Sequence, residues 1–598
     1  MSATAEGRCK SACPLSRKFE AWDTACGKGE TVGMKDPGGT TTRGLVIGCP
    51  STMGDDYPLN TTTLIRHAAR TYGDQEILYR NEAGGWERYT YRDCYERVGR
   101  AAGALRSLGV GPGDRVGVLD WNSRRYFELY YAIPGLGAVL LQLNLRLSVD
   151  ELSYIVNHSN TTCLLVDETM LPLAEALAPH VPGVKAWIVM TDRPLDEVET
   201  TLRPLHHHED GMTAAAPITD WPMIEERSAY AACYTSGTTG RSKGIYYSHR
   251  SIYLHSLSLT AMVGMTMDDC TMLITPMFHA QGWGLPQAAT LMANKILLPG
   301  RYSVDDAAFL IDSIVAEGVT IASGVPSILS PILSYIRSLP VKPSLDRLRL
   351  LCGGSEAPLS LLVGWHELTG AEIIHAYGGT ETSPLMTVNR LKSTLRGRLS
   401  AEEEWNVRRT QGLPGIGVDV RILAEDGREL PHDGKSVGEI CARGPWIAAS
   451  YHCLPEADDR FVDGYWRSGD VGTIDAHGYL KLTDRLKDVI KSGGEWISSI
   501  DMENALVGHA AVREAVVVGV PHPQWQERPL ALVVLEPGRQ ATCEELLAHL
   551  TGTFCRWQLP ERILFVTSIP KTSVGKLNKK AIRAQYADVY TRAGIGGA

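Results

Sequence analysis

The run Tyr234-Thr-Ser-Gly-Thr-Thr-Gly-Arg-Ser-Lys-Gly244 holds the groups needed to grip a phosphate chain. Gly237 and Gly240 lack a Cβ, so backbone N–H groups there reach an anion unobstructed. The hydroxyls of Thr235, Ser236, Thr238 and Thr239 donate to phosphate oxygens, and Lys243 adds a point charge. Apolar residues enter the run at Tyr230 to Tyr234 and leave it at Ile245 to Tyr247, which predicts a loop between two strands. The order is not that of a Walker loop. The fifth residue after Gly237 is Ser242 rather than glycine, and Lys243 is followed by Gly244 rather than by Ser or Thr. A merely flexible Gly/Thr loop would explain the composition but not the order.

Further runs flank this one. Along the chain they are Thr275-Pro-Met-Phe-His-Ala-Gln-Gly-Trp283, Gly353-Gly-Ser-Glu-Ala-Pro358, Tyr377-Gly-Gly-Thr-Glu-Thr382, Trp466-Arg-Ser-Gly-Asp470, Thr483-Asp-Arg-Leu-Lys-Asp488, Lys491-Ser-Gly-Gly-Glu-Trp-Ile497 and Pro570-Lys-Thr-Ser-Val-Gly-Lys576. With the first loop, they resemble the ordered signatures of the adenylate-forming enzymes, the family of acyl-CoA synthetases, luciferases and peptide-synthetase adenylation domains. The resemblance extends from about Thr62 to Tyr590. The acyl-CoA synthetase branch is the nearest in look, and within it the short- and medium-chain fatty acyl and methylmercaptopropionate CoA ligases.

The resemblance implies a role for each residue. Glu381 and the Thr235 hydroxyl are the oxygen ligands for Mg²⁺, a hard ion lying between phosphates, and Thr380 donates to phosphate. Ser236, Gly237, Thr238, Thr239, Gly240 and Lys243 hold the phosphates themselves. Gly354, Ser355 and Glu356 supply the flat wall and polar edge for adenine. Tyr377, Gly378 and Gly379 belong to the second nucleotide signature, where Gly379 replaces a residue that is commonly larger. Asp470 accepts hydrogen bonds from both ribose hydroxyls, and Arg485 is the cation beside ribose and phosphate. Lys576 is the catalytic ammonium beside the α-phosphate and the attacking carboxylate. Lys487 is the hinge residue, and Lys491, Gly493 and Gly494 lie in the loop that approaches the thioester-forming site after rotation. His279 is either a gate or wall of the acyl channel or a packed core histidine. Lys571, Lys579 and Lys580 read as surface charges.

The implied reaction adenylates a carboxylic acid with ATP, releasing pyrophosphate, and then passes the acyl group to coenzyme A, releasing AMP. The short run after Lys576 favours free coenzyme A over a tethered carrier. An aryl-carboxylate CoA ligase, or an adenylating enzyme that loads a separate carrier protein, is the alternative. The substrates are a short- or medium-chain fatty or related acid, ATP and coenzyme A, with Mg²⁺ as cofactor, and a homodimer is the expected assembly.

These residues need a scaffold, and the alternation of segments supplies one. Strand-like runs at Val116 to Leu119, Val139 to Leu141, Leu164 to Val166 and Trp187 to Met190 alternate with helical stretches such as Ser123 to Ala132 and Val149 to His158, the cadence of an α/β layered sheet. Both Gly-rich runs at Gly353 and Tyr377 follow strands, where open α/β sheets bind ligands. The segment Glu197 to Arg227 breaks the rhythm, and His206-His207-His208 within it reads as a solvated loop. The texture turns β-rich from Val418. Residues 1–60 read as a loose extension, 61–486 as a large region of two α/β lobes and a β lobe, and 487–598 as a small mobile α/β module.

The totals agree with such a chain. It has 598 residues, a formal charge of −9 and 44% apolar residues. The negative balance argues against a nucleic-acid or anionic-membrane binder, and no apolar run reaches the roughly 20 residues of a membrane span. Thirteen cysteines without Cys-x-x-Cys spacing point to reduced thiols in a cytoplasmic protein.

Overall fold

The computed structural model describes residues 51–54, 56–235, 241–492, 495–571 and 577–590. The chain divides into two units at residue 57, and everything below concerns the second, residues 58–598.

Two large sheets carry its first part. In the seven-stranded sheet the order is Leu205–His207, Ala186–Met190, Cys163–Asp167, Arg115–Leu119, Val139–Gln142, Ala229–Tyr234, Gly244–Ser248. All neighbours are parallel except the last pair, which is antiparallel. The phosphate-loop segment therefore leaves one strand and returns on the next, as its apolar flanks predict. Thr235 N–H donates to the Lys243 carbonyl at 2.9 Å, and Lys243 N–H to Thr235 Oγ1 at 3.1 Å, which closes the mouth of the loop.

The nine-stranded sheet runs Leu413–Pro414, Leu385–Val388, Glu372–Gly378, Arg349–Cys352, Ile321–Gly324, Cys270–Met272, Lys295–Leu298, Glu76–Arg80, Trp86–Thr90. Its central strands are parallel. Such strands are buried on both faces and read as continuous apolar runs, like the Arg-Leu-Leu-Cys of Arg349–Cys352. Helices over the sheets begin at side-chain caps: Thr90 with Asp93 before Tyr91–Ser107, and Ser148 with Glu151 before Val149–His158, each satisfy two backbone N–H groups reciprocally.

A five-stranded sheet of Asp419–Leu423, Gly438–Arg443, Tyr465–Ile474, Phe461–Val462 and Leu480–Arg485 follows, and another closes the chain: Glu495–Ile497, Ile490–Ser492, Gln526–Leu535, Val512–His522 and Arg562–Phe565. The apolar clusters of the described residues divide at this point. Those of the first three sheets reach no further than Leu482, and those of the last begin at Ile490. The fold is mixed α/β, with a large N-terminal domain and a smaller C-terminal one.

Three sequence readings are corrected. His206 and His207 lie in the edge strand Leu205–His207, and His207 and His208 are buried. His207 Nδ1 accepts from Asp210 N–H to cap the helix His208–Ala214, and burial pushes the His208 imidazole down to about 3. A period break marked the triplet as a loop because a three-residue strand is too short to show alternation. Lys579 is not a surface charge: only 11% exposed, it pairs with Glu503 at 2.8 Å and also bonds Ser499. Lys491 lies in the strand Ile490–Ser492 rather than in a loop.

Candidate active site

One cleft of about 1300 Å³ collects most of those site residues singled out above that the structure describes. Thr235, Lys243, His279, Gly354, Gly378, Gly379, Thr380, Glu381, Asp470 and Arg485 all face it. They come from the hairpin between two strands of the first sheet, from the carboxyl ends of Arg349–Cys352 and Glu372–Gly378 in the second, and from paired strands of the third. Ser236, Gly237, Thr238, Thr239, Gly240, Gly493, Gly494 and Lys576 lie outside the described residues.

Glycine is required where two backbones nearly touch. A Cβ on Gly353 would stand 2.5 Å from the Ala376 carbonyl oxygen, and one on Gly378 would stand 1.9 Å from that of Pro384. Gly379 differs. Its backbone is extended at φ −153°, which any residue adopts, and a Cβ there would stand 3.3 Å from the Glu381 carboxylate, a tight contact from which that side chain would have to shift slightly.

Glu381 sits at the floor, where burial pushes its carboxyl above the usual range. Tyr451 OH donates to Glu381 Oε1 at 2.7 Å, and Lys243 Nζ lies 4.6 Å from the centre of the Tyr451 ring. The segment around Tyr451 laces the two loops together: Ala448 N–H donates to the Glu381 carbonyl at 2.7 Å, and His452 N–H to the Gly244 carbonyl at 2.9 Å. A second oxygen donor, the Thr235 hydroxyl, faces the same cleft. One carboxylate and one hydroxyl suit Mg²⁺, which keeps phosphate oxygens and waters as its other ligands. Among the described residues no group of three or more His, Cys, Asp or Glu side chains forms a self-sufficient metal cage.

Asp470 and Arg485 are direct antiparallel partners on Tyr465–Ile474 and Leu480–Arg485. Arg485 Nε is 3.5 Å from Asp470 Oδ1, and Tyr377 OH donates to Oδ2 at 2.7 Å. Tyr377 does not itself face the cleft; it braces Asp470 from behind, leaving carboxylate lone pairs for two hydroxyls of a sugar.

The run Thr275–Trp283 also contributes to the lining. Phe278, His279, Ala280 and Trp283 face the cleft beside Ile274 and Ile328. Residues Ala280 to Gly284 all have φ between 46° and 76°, a left-handed turn that costs roughly 1–2 kcal/mol for each non-glycine residue and whose five residues are all buried.

Several residues are not brought to the cleft. Ser355, Glu356 and Lys491 do not face it. The Glu356 carboxylate instead accepts from Asn504 Nδ2 at 2.8 Å and lies 3.2 Å from Arg409. Sequence reasoning in turn missed Tyr451, Trp466 and Arg460, all of which face the cleft. Tyr451 and Arg460 stand in no recognised run, while Trp466 begins one whose Asp470 drew the attention.

The chain belongs to the AMP-binding enzyme family. The AMP-binding enzyme model matches residues 65–452, and the AMP-binding enzyme C-terminal domain model matches residues 501–576. It is an AMP-forming acyl-CoA synthetase by class, with ATP and coenzyme A as substrates. A long-chain-fatty-acid–CoA ligase of Thermus thermophilus is 43% identical over 90% of this chain and 98% of that protein. A 3-methylmercaptopropionyl-CoA ligase of Ruegeria lacuscaerulensis is 38% identical over 89% and 98%, and a medium-chain-fatty-acid–CoA ligase of Ectopseudomonas oleovorans 36% identical over 89% and 96%. Among solved structures, ATP-bound MatB of Rhodopseudomonas palustris superposes with a TM-score of 0.74 at 25% identity, covering 89% of this chain and 100% of its own. Among the described residues no helix is long and apolar enough to cross a membrane.

Proposed function

We propose that the protein activates a short- or medium-chain fatty acid, or a related acid, as its coenzyme A thioester. The observation that carries this reading is one cleft with a mixed lining, which we read as two unlike arms: Lys243, Glu381, Asp470 and Arg485 supply charge, and Ile274, Phe278, Trp283 and Ile328 supply apolar surface. The printed names of the three relatives of 36–43% identity, ligases of fatty or methylmercaptopropionic acid, support the same class of acid.

In the first step a carboxylate oxygen attacks the α-phosphorus of ATP, and the bond to the bridging oxygen breaks with its electron pair leaving on pyrophosphate. Asp470 and Arg485 orient the ribose, Lys243 neutralises the departing phosphates, and Lys576 stabilises charge at the α-phosphate. Glu381 and Thr235 would hold Mg²⁺, which when bound withdraws charge from the phosphate oxygens. In the second step the thiolate of coenzyme A attacks the acyl carbon and AMP leaves. Residues 61–486 and 487–598 act as the two moving parts, with Lys487 as pivot. The protein works in the cytoplasm as a homodimer, which light scattering on the purified chain tests.

The decisive experiment is pyrophosphate release with a panel of acids, from acetate to decanoate together with methylmercaptopropionate and benzoate, with and without coenzyme A. The expected outcome is acid-dependent release with the best rates among the medium aliphatic chains, and AMP release that requires coenzyme A. A preference for benzoate would turn the reading to aryl acids.

A further inference from the structure

Glu356 follows the cleft-facing Gly353 and Gly354 by two residues, yet its carboxylate points away from the cleft and is 4% exposed. Oε1 accepts from Asn504 Nδ2 at 2.8 Å and from Arg409 Nη2 at 3.2 Å, and Oε2 is buried with no hydrogen-bond partner among the described residues. Asn504 belongs to the helix Ser499–Val507 of the C-terminal domain. Asp501, one turn earlier on the same helix, lies 3.4 Å from both Arg409 and Lys481. Two residues on one helix face thus dock onto three of the N-terminal domain. The receiving side is tied to the nucleotide loops: the Arg409 carbonyl lies 3.0 Å from His375 Nδ1, on the strand that leads to Glu381.

These contacts belong to one relative orientation of the domains. Lys571, which opens the signature ending at Lys576, faces the cleft, whereas Lys491 does not. A rotation at Lys487 that brought Lys491 inward would carry Asn504 and Asp501 away from Glu356 and Arg409. We propose that Glu356 and Asn504 form a docking latch that holds the C-terminal domain in the adenylating orientation, so that Glu356 is a positioning residue rather than an adenine contact. The proposal rests on the two-step reading above. Being attached to the adenine-side loop and to the strand of Glu381, the latch also links nucleotide occupancy to domain orientation.

The test uses the full-length protein and separates orientation from chemistry. Trypsin cleavage after Arg485 or Lys487, mapped by mass spectrometry, reports release of the C-terminal domain without any acid. Asn504→Ala is expected to raise that cleavage rate about tenfold, the worth of one hydrogen bond to a carboxylate. Glu356→Ala is expected to do the same, and Glu356→Gln, which keeps the acceptor oxygen, to restore the wild-type rate. With octanoate, Asn504→Ala is expected to slow ATP–pyrophosphate exchange while sparing acyl transfer from supplied octanoyl adenylate to coenzyme A. Unchanged cleavage in both alanine variants, or equal slowing of both half-reactions, overturns the latch. If the wild type shows no exchange with octanoate, the substrate reading falls while the cleavage arm still decides the latch. If Glu356→Ala does not fold, Asn504→Ala alone decides it, since it leaves the N-terminal domain untouched.

Discussion

The hydroxyl of Tyr451 donates to Glu381 Oε1 across 2.7 Å, and the face of the same ring lies beneath the Lys243 ammonium. A single side chain thus steadies both an anion and a cation of the cleft, and does so from a strand-free segment that also hydrogen-bonds the backbones of both loops.

Tyr451→Phe removes the donor and keeps the ring. Since that hydrogen bond favours the ionised carboxyl, while burial disfavours it, the Glu381 pKa rises further in the variant. Activity that needs the carboxylate is then lost at a higher pH on acidification. We expect the acid limb of the kcat/KM profile to move upward and the Mg²⁺ requirement to rise about tenfold. Steady-state kinetics across pH and Mg²⁺ concentration check both.

Glu381→Gln leaves a neutral oxygen in place of the proposed metal ligand. Apparent affinity for Mg²⁺-ATP should fall about a hundredfold or more, with little change in the thermal transition. Calorimetric titration with a non-hydrolysable ATP analogue, with and without Mg²⁺, measures it. An unchanged metal dependence would remove Glu381 from the site.

Lys576→Ala is expected to lower adenylate formation by about a hundredfold or more, since it removes the ammonium proposed to stabilise charge at the α-phosphate. Thioester formation from supplied acyl adenylate should survive. Parallel assays of the two half-reactions decide this, and equal losses in both would sink the assignment.

Burial pushes the Glu356 carboxyl up from 4.5 to about 7, against the opposing pull of Arg409 and Lys481 and with the help of Asp501. The folded state therefore binds this proton more tightly than the unfolded chain does. Its contribution to stability is complete below about pH 4.5 and is lost as pH rises through about 7. Between about pH 5 and about pH 8 the thermal transition of Glu356→Gln should fall less than that of the wild type. Calorimetry at matched ionic strength makes the comparison.

The sequence made most of this architecture legible because long apolar runs and glycine turns are local. The inner strands of the seven-stranded sheet, the hairpin around the phosphate loop, and the runs that carry Lys243, Glu381, Asp470 and Arg485 follow from patterns within a few residues, whereas the short edge strand Leu205–His207 did not show. What it hid depends on distant pairing. Tyr451 acquires its meaning only when residue 381 comes within hydrogen-bonding range, and the same holds for Lys579, whose charge is matched by Glu503 on another helix. Glu356 was misleading for the opposite reason. Its place beside Gly353 and Gly354 suggested the nucleotide, whereas the turn that follows them aims its side chain at the other domain.

The division of apolar clusters between Leu482 and Ile490 bears on temperature. Each domain keeps its own sealed interior, and the described contacts that join Glu356, Arg409 and Lys481 to Asn504 and Asp501 are hydrogen bonds and ion pairs. Exchanging them for others exposes little apolar surface, so reorientation carries only a small change in heat capacity. The balance between orientations then drifts slowly on warming, far more slowly than the stability of either domain, and the order of the two half-reactions is preserved up to the temperature at which a domain itself melts.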